Sequence, residues 1–413
     1  MRRTLVSIVA VLVIFLAIGP VAAGAQQLLG PRLPGPPPGQ PQAIPGQYIV
    51  ELHPWADRDA VTHDHGLAPF FRYDIIKGFA VSMSAVAASR LGADSRVRSV
   101  SPDVVVHAFA KPGGPGGPGD TTCTVPDSAM PVFVPEAPTG VRRVGADTQW
   151  ATATGDGVNV AIIDTGIDFC HPDLKANYKG GTNLLSRRKA PKDDNGHGTH
   201  VAGIIGGRQN DFGVVGMAPR AWFYAVKVLD ASGSGSTSAV IRGIDWAVAH
   251  GMKVANLSLG AFDMSLGSGP MCSAVNNAVT AGVTVVAAAG NSAFETIYFT
   301  PANCALSLTV SGFVDVNGVV GGGGSTTVSG VPEYDDTFAE SFSNYSDYCW
   351  DLDGDGLCTE ADKLVVNLMA PSVDILSTLP TYPVTLNDPA GYNRALNYDR
   401  LTGTSMAAPH VAG

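Results

Sequence analysis

The sequence predicts an α/β protein: a mostly parallel sheet with helices on both faces, preceded by a small α+β unit. Three observations carry this expectation. Four short apolar runs (residues 158–163, 221–229, 254–259 and 283–289) alternate with helix-like stretches at 238–250 and 275–281. Strands that stay apolar throughout are covered on both faces, and helices between them connect parallel neighbours. Upstream, residues 48–109 mix strand and helix patterns in a short span. The whole chain of 413 residues is 45% hydrophobic and 15% charged, enough apolar side chain for a sizeable core.

The elements follow in order. Arg2 and Arg3 precede an apolar run at residues 4–19, and Ala23-Gly24-Ala25 then offers a small-residue cleavage site. This pattern predicts a secretory signal peptide over residues 1–25. The run is shorter than the ~20 residues of a spanning helix, so no membrane anchor is expected after cleavage. Residues 26–47 are Pro-rich and read as a linker. Within 48–110, residues 48–52 read as a strand, 75–83 as a hairpin, 84–91 as a helix and 97–109 as a strand. Residues 111–138 begin as a Gly/Pro linker open to processing, and 139–413 form the large α/β domain. The net charge of −10 argues against nucleic acid as a partner. A monomer is expected, in a secreted location, extracellular or periplasmic.

Four polar residues stand where such a sheet gathers its chemistry, outside the carboxyl ends of its strands. Asp164 ends the first run and Asn291 follows the fourth. His197 lies in a Gly-rich turn entering a helix, and Ser405 opens the last helix after Gly403. Ser, His and Asp can act as one unit. The Ser attacks a carbonyl, the His takes its proton, and the Asp orients the imidazole. An Asn amide can donate to the oxyanion that forms.

The motifs that carry these residues are Ala161-Ile162-Ile163-Asp164-Thr165-Gly166-Ile167-Asp168, Asn195-Gly196-His197-Gly198-Thr199-His200-Val201-Ala202-Gly203, Ala288-Ala289-Gly290-Asn291 and Gly403-Thr404-Ser405-Met406-Ala407-Ala408-Pro409-His410. In this order they resemble the subtilisin-like serine proteases (subtilases), whose chain order is Asp, His, Ser. The resemblance covers residues 139–413 and implies Asp164, His197 and Ser405 as the triad and Asn291 as the oxyanion donor. It implies that a peptide pairs as an extra strand along Leu257, Ser258, Leu259 and Gly260. Ala288, Ala289 and Gly290 match a wall of the pocket for the residue before the scissile bond. Their small side chains leave room for a large apolar residue. His200, one turn from His197, could suggest a metal pair, but it reads as structural, as do His171 and His410. Residues 48–110 resemble the inhibitory pro-domain of these proteases, with the processing cut expected between 110 and 141. The alternative is a catalytically silent fragment or a protease-binding inhibitor acting through the pro-domain. Similar proteases continue the last helix well past the Ser, so a C-terminally truncated chain is expected.

Calcium is the expected cofactor; no organic cofactor is. Asp351, Asp353, Asp355, the Leu357 carbonyl, Thr359 and Asp362 follow the spacing of an EF-hand loop, with Gly356 at the turn, in an insert at 347–363. Asp362 replaces the usual Glu. By resemblance, Asp173 and Asn210 match a second calcium site, although Asp211 and Phe212 depart from the commoner residues. Six cysteines in an exported chain favour disulfides. Cys349 and Cys358 bracket the acidic loop, Cys272 and Cys304 flank a helix-strand unit, and Cys123 is left with Cys170 unless Cys170 is a free thiol.

Overall fold

The computed structural model describes residues 40–109, 137–346, 366–387 and 397–413. These fall in one compact unit. The expected signal peptide, most of both linkers, the acidic loop, and Cys123, Cys349 and Cys358 lie outside the described residues. No helix among the described residues is long and apolar enough to cross a membrane.

The N-terminal unit runs β1 (Ala43–Leu52), α1 (Arg58–Asp64), β2 (Phe71–Tyr73), β3 (Gly78–Ser82), α2 (Ala85–Gly92) and β4 (Val97–Ala108). β1 pairs antiparallel with both β3 and β4. Ser84 caps α2 by accepting from Ala87 N, as its hydroxyl suits that position. The expected hairpin at 75–83 is displaced. Its first arm is β2, while residues 74–77 form the turn, with Lys77 at positive φ. Ile76 looks like a strand residue because it is buried, but it is buried from within that turn.

The large domain continues with α3 (Thr139–Val144), β5 (Asn159–Asp164), β6 (Tyr178–Asn183), α4 (His197–Gly206), β7 (Trp222–Lys227), β8 (Ser234–Ser236), α5 (Thr237–Ala249), β9 (Val254–Leu257), β10 (Leu259–Phe262), α6 (Pro270–Thr280) and β11 (Thr284–Ala288). It ends with β12 (Phe299–Thr300), β13 (Leu308–Phe313), the hairpin β14 (Ser325–Val328) and β15 (Val331–Tyr334), β16 (Leu368–Pro371), β17 (Ile375–Thr378), β18 (Tyr398–Leu401) and α7 (Thr404–Ala412). Seven strands form one sheet in the order β16-β13-β11-β9-β5-β7-β6, every pair parallel.

The period of two along each strand divides the core. Ala161 and Ile163 of β5 pack with α5 and α6 residues such as Ile244 and Val275. Val160 and Ile162 turn to the opposite face, where α4 and α7 supply Val201, Ile205 and Met406. Burial on both faces is why these strands read as unbroken apolar runs. Three expected boundaries shift. The run at 254–259 is two strands, because the chain leaves the parallel sheet at Ser258 and β10 joins another sheet. α6 begins earlier than 275, with Pro270 at its start, where a missing N–H costs nothing. Beyond the four runs, β6 was hidden by its polar composition, and β13 and β16 complete the sheet.

Candidate active site

β5 delivers Asp164 at its carboxyl end and α4 delivers His197 at its first residue. His197 Nδ1 donates to Asp164 Oδ1 and Oδ2 at 2.8 and 2.9 Å, and both side chains are buried. With Nδ1 protonated toward the carboxylate, Nε2 carries the lone pair. That atom is buried and has no hydrogen-bond partner among the described residues. The close approach needs Gly198, where an added Cβ would sit 2.2 Å from the Gly166 carbonyl and 3.2 Å from Asp164 Oδ1.

The turn before His197 is built on Asp193, which the motif reading passed over. Its Oδ1 accepts from Thr165 Oγ1, Asn195 N and Gly196 N at 2.9–3.0 Å. Its Oδ2 accepts from Thr199 N and Thr199 Oγ1 at 2.9 and 2.6 Å. A buried carboxylate is stabilised by this many donors at a helix N-terminus. Asp-Asp-Asn-Gly ahead of a helix was the available signal. Lys227, also missed, is buried and donates to the Thr165 and Leu229 carbonyls at 2.5 and 2.8 Å and to Asp194 at 2.6 Å. A lone Lys inside an apolar run marks such a pinned charge.

Ser405 is buried as the second residue of α7. Its Oγ donates to the Ser258 carbonyl at 2.9 Å, while Ser258 Oγ donates to the Ser405 carbonyl at 2.9 Å. Asn256 Nδ2 holds Ser258 Oγ at 2.9 Å. Asn291 is oriented from the same helix. Its Oδ1 accepts from Thr404 N and Thr404 Oγ1, both at 2.8 Å. Nδ2 is thereby turned into the cleft.

The cleft holds a peptide: the end of the N-terminal unit. β4 lies between two rims, paired antiparallel with β8 (Val105 with Ser236, Val106 with Gly235, His107 with Ser234) and with β10 (Ala108 with Leu259, His107 with Gly260). Asn291 Nδ2 donates to the Phe109 carbonyl at 2.5 Å. The Phe109 ring lies over Gly260, where an added Cβ would meet its Cζ at 2.4 Å.

The expected residues therefore divide as follows. Asp164 and His197 meet directly, and Asn291 with Ser405 through Thr404 and the start of α7. Leu257, Ser258, Leu259 and Gly260 form the rim, and Ala288, Ala289 and Gly290 are buried at the end of β11. His200 Nε2 donates to the Ile375 and Asp399 carbonyls, the structural role expected. His171 Nε2 donates to the Asn397 carbonyl and His410 Nδ1 to Met406.

Asp173 and Asn210 meet at 2.7 Å. Asp173 Oδ2 also accepts from Val214 N and the Tyr398 hydroxyl. Burial raises the Asp173 pKa, opposed by the Asn210 hydrogen bond. The contact is made by the Asn210 amide nitrogen, while Asn210 Oδ1 accepts from Phe212 N at 3.2 Å. Among the described residues no group of three or more His, Cys, Asp or Glu is arranged to hold a metal. Cys272 and Cys304 form a disulfide, with Cα atoms 4.8 Å apart. Cys170 is disulfide-bonded, which removes the free-thiol alternative.

The subtilase family model matches residues 155–413. The chain belongs to the subtilase family. This subtilase is 39% identical over 288 residues to an alkaline protease of Alkalihalobacillus alcalophilus, covering 70% of this chain and 60% of that protein. It is 40% identical over 277 residues to Subtilisin Savinase of Lederbergia lenta, covering 67% and 81%. With subtilisin E of Bacillus subtilis strain 168 it shares 34% over 346 residues, covering 83% and 70%. The subtilase spans about 60% of the length of the alkaline proteases it matches. The crystal structure of fervidolysin from Fervidobacterium pennivorans, a keratinolytic enzyme related to subtilisin, shares its fold. The TM-score is 0.63 at 24% identity, covering 90% of this chain and 54% of that one.

Proposed function

We propose that this subtilase is a secreted serine endopeptidase that hydrolyses peptide bonds in proteins, made as a precursor whose residues 48–110 cap its own cleft. The observation that carries the reading is the Phe109 carbonyl on Asn291 Nδ2 at the end of an inserted strand. An extended peptide is gripped by main-chain pairing, and one of its carbonyls meets a donor suited to an oxyanion. The 346-residue match to subtilisin E extends N-terminal to residue 155, in keeping with a shared precursor organisation.

In this reading His197 Nε2 removes the Ser405 proton as Oγ attacks the substrate carbonyl. Asp164 holds the ring by Nδ1 and stabilises the imidazolium. Asn291 Nδ2 donates to the tetrahedral oxyanion, and His197 returns the proton to the leaving amine. Water then attacks the acyl group on Ser405 by the same route. The Ser405 hydroxyl must first leave the Ser258 carbonyl and turn toward Nε2, since hydrogen bonds of this kind tighten only as the complex forms. Calcium has a structural role in the proposal, at Asp173 and Asn210 and in the acidic loop.

The test is labelling of the purified chain by a fluorophosphonate. Reaction at Ser405, lost in His197→Ala, is expected. Labelling that survives His197→Ala, or none in a folded chain freed of its N-terminal unit, overturns the reading in favour of a silent, inhibitory protein.

A further inference from the structure

Lys227 is the last residue of β7 and takes no part in the proposed proton transfers. It is 3% exposed, and it is the one charged residue in the run 221–229. An ammonium is costly to bury, and an apolar side chain of similar length would fill the same space without that cost. All three of its N–H donors are used. They go to the Thr165 carbonyl at 2.5 Å, Asp194 Oδ1 at 2.6 Å and the Leu229 carbonyl at 2.8 Å. The acceptors belong to three segments. Thr165 follows Asp164 at the end of β5, Asp194 lies in the loop ahead of α4, and Leu229 follows β7.

The first two contacts both lead to the buried Asp164–His197 pair. Thr165 N donates to Asp164 Oδ1 at 2.6 Å, so the residue that Lys227 holds by its carbonyl holds the Asp164 carboxylate by its amide. Thr165 Oγ1 also donates to Asp193 Oδ1 and accepts from Gly198 N, both at 2.9 Å. On the other side, Asp194 is followed by Asn195, whose Oδ1 accepts from His197 N at 3.1 Å. His197 Nδ1 then meets Asp164. Lys227, Thr165, Asp164, His197, Asn195 and Asp194 thus close a ring around the pair. Val228 N and Leu229 N tie the end of β7 to the β5 arm, both donating to the Asp164 carbonyl, at 2.9 and 3.2 Å. The Lys227 side chain extends that tie to the loop that carries His197.

We infer that Lys227 is a positioning residue for the proposed hydrolysis: its ammonium fixes Asp164 and His197 relative to each other by bonding to both segments that carry them. The inference rests on the endopeptidase reading. Lys227 touches neither substrate nor a reacting atom. Its effect is on alignment, and a displacement of about 1 Å between reacting groups costs on the order of 10²-fold in rate. A purely structural lysine would instead stabilise the fold and leave the turnover of folded enzyme unchanged.

The experiment compares the purified full chain with Asp194→Ala, Asp194→Asn and Lys227→Met. The Asp194 side chain is 36% exposed, so its variants leave the buried core in place. kcat and KM are measured on a peptide p-nitroanilide with Phe before the scissile bond, per site titrated by fluorophosphonate. The Nδ1 proton between His197 and Asp164 is followed in the low-field 1H NMR spectrum, where His197→Ala identifies its resonance. Asp194→Ala should lower kcat about 10-fold with KM within about twofold, and should shift or broaden that resonance. Asp194→Asn keeps an acceptor for the ammonium and should restore kcat to within about threefold of the parent. Lys227→Met should lose more than Asp194→Ala, and combining the two should add nothing to Lys227→Met. If Lys227→Met does not fold, the Asp194 pair decides alone. Folded Asp194→Ala with a lowered thermal midpoint but parental kcat and resonance overturns the inference and leaves the endopeptidase reading standing. Equal losses in Asp194→Ala and Asp194→Asn do the same. A parent chain with neither turnover nor labelling overturns both.

Discussion

Ser258 and Ser405 hold each other in both directions. Each hydroxyl donates to the other's carbonyl at 2.9 Å, and both residues are fully buried. The Ser258 hydroxyl thus fixes the backbone of the α7 residue whose side chain is proposed to attack. Ser258→Ala removes that tie but keeps the Ser258 carbonyl and the rim of the cleft. The expected outcome is a fall in kcat of about 10-fold, equivalent to one lost hydrogen bond of ~1.4 kcal/mol, with KM within about twofold. Steady-state kinetics on a chromogenic peptide checks the split. A rise in KM at constant kcat would contradict the positioning role.

Asn291 owes its direction to Thr404, which gives its Oδ1 two donors. In subtilisin itself, loss of the corresponding donor costs about 10²–10³ in kcat, and that measured range is adopted for Asn291→Ala. Thr404→Val removes the hydroxyl that donates to Asn291 Oδ1 and accepts from Gly290 N at 3.1 Å, and leaves the amide freer to rotate. A smaller loss of about 10-fold in kcat is expected, read in the same assay.

Asp193 accepts five hydrogen bonds within the loop and helix that carry His197. Asp193→Ala strands several buried donors at once, each costing ~1–3 kcal/mol. Because such losses overlap, a net destabilisation on the order of 4 kcal/mol is expected in a denaturant titration. Asp193→Asn should be milder, since one oxygen still accepts.

His410 sets a pH dependence. It is buried, its Nδ1 donates to Met406 at 2.7 Å, and burial depresses its pKa from 6.5 to about 4. The native state therefore favours the neutral ring. Its contribution is intact above pH 6.5 and is lost as pH falls toward about 4, because the unfolded chain binds the proton first. The full loss is roughly 3 kcal/mol. His410→Gln should have a shallower decline in unfolding free energy between these pH values than the parent chain; equal slopes would refute the assignment.

The disulfide closes a span of 32 residues across α6 and β11. A loop of that length carries a chain-entropy contribution of about 4 kcal/mol. Cys272→Ala/Cys304→Ala should lower the thermal midpoint accordingly, measured by circular dichroism.

Much of the sheet was legible because β5, β7, β9 and β11 are buried on both faces, which leaves a continuous apolar signature. β6 escaped because Tyr178, Lys179, Gly180, Gly181, Thr182 and Asn183 sit at an edge, where burial imposes no apolar pattern. The split at Ser258 could not be seen either, since a fully apolar run gives no sign of which sheet its two halves join. Asp164, His197, Asn291 and Ser405 were legible through glycine-rich neighbourhoods that only close backbone packing requires. Their supports left only fainter local signals. Asp193, Lys227 and Thr404 act through contacts set by tertiary structure, and Phe109 has meaning only once β4 is in the cleft.

The antiparallel sheet running β12-β10-β4-β1-β3-β2, with β8 on the other flank of β4, joins the N-terminal unit to both rims of the cleft. In the proposed precursor, removal of that unit would leave β8 and β10 as two facing strand edges with unpaired main-chain groups. Such edges recruit any extended chain, including another copy of the same protein. β4 is therefore also an edge guard. Paired on both flanks, it leaves neither rim open to another chain.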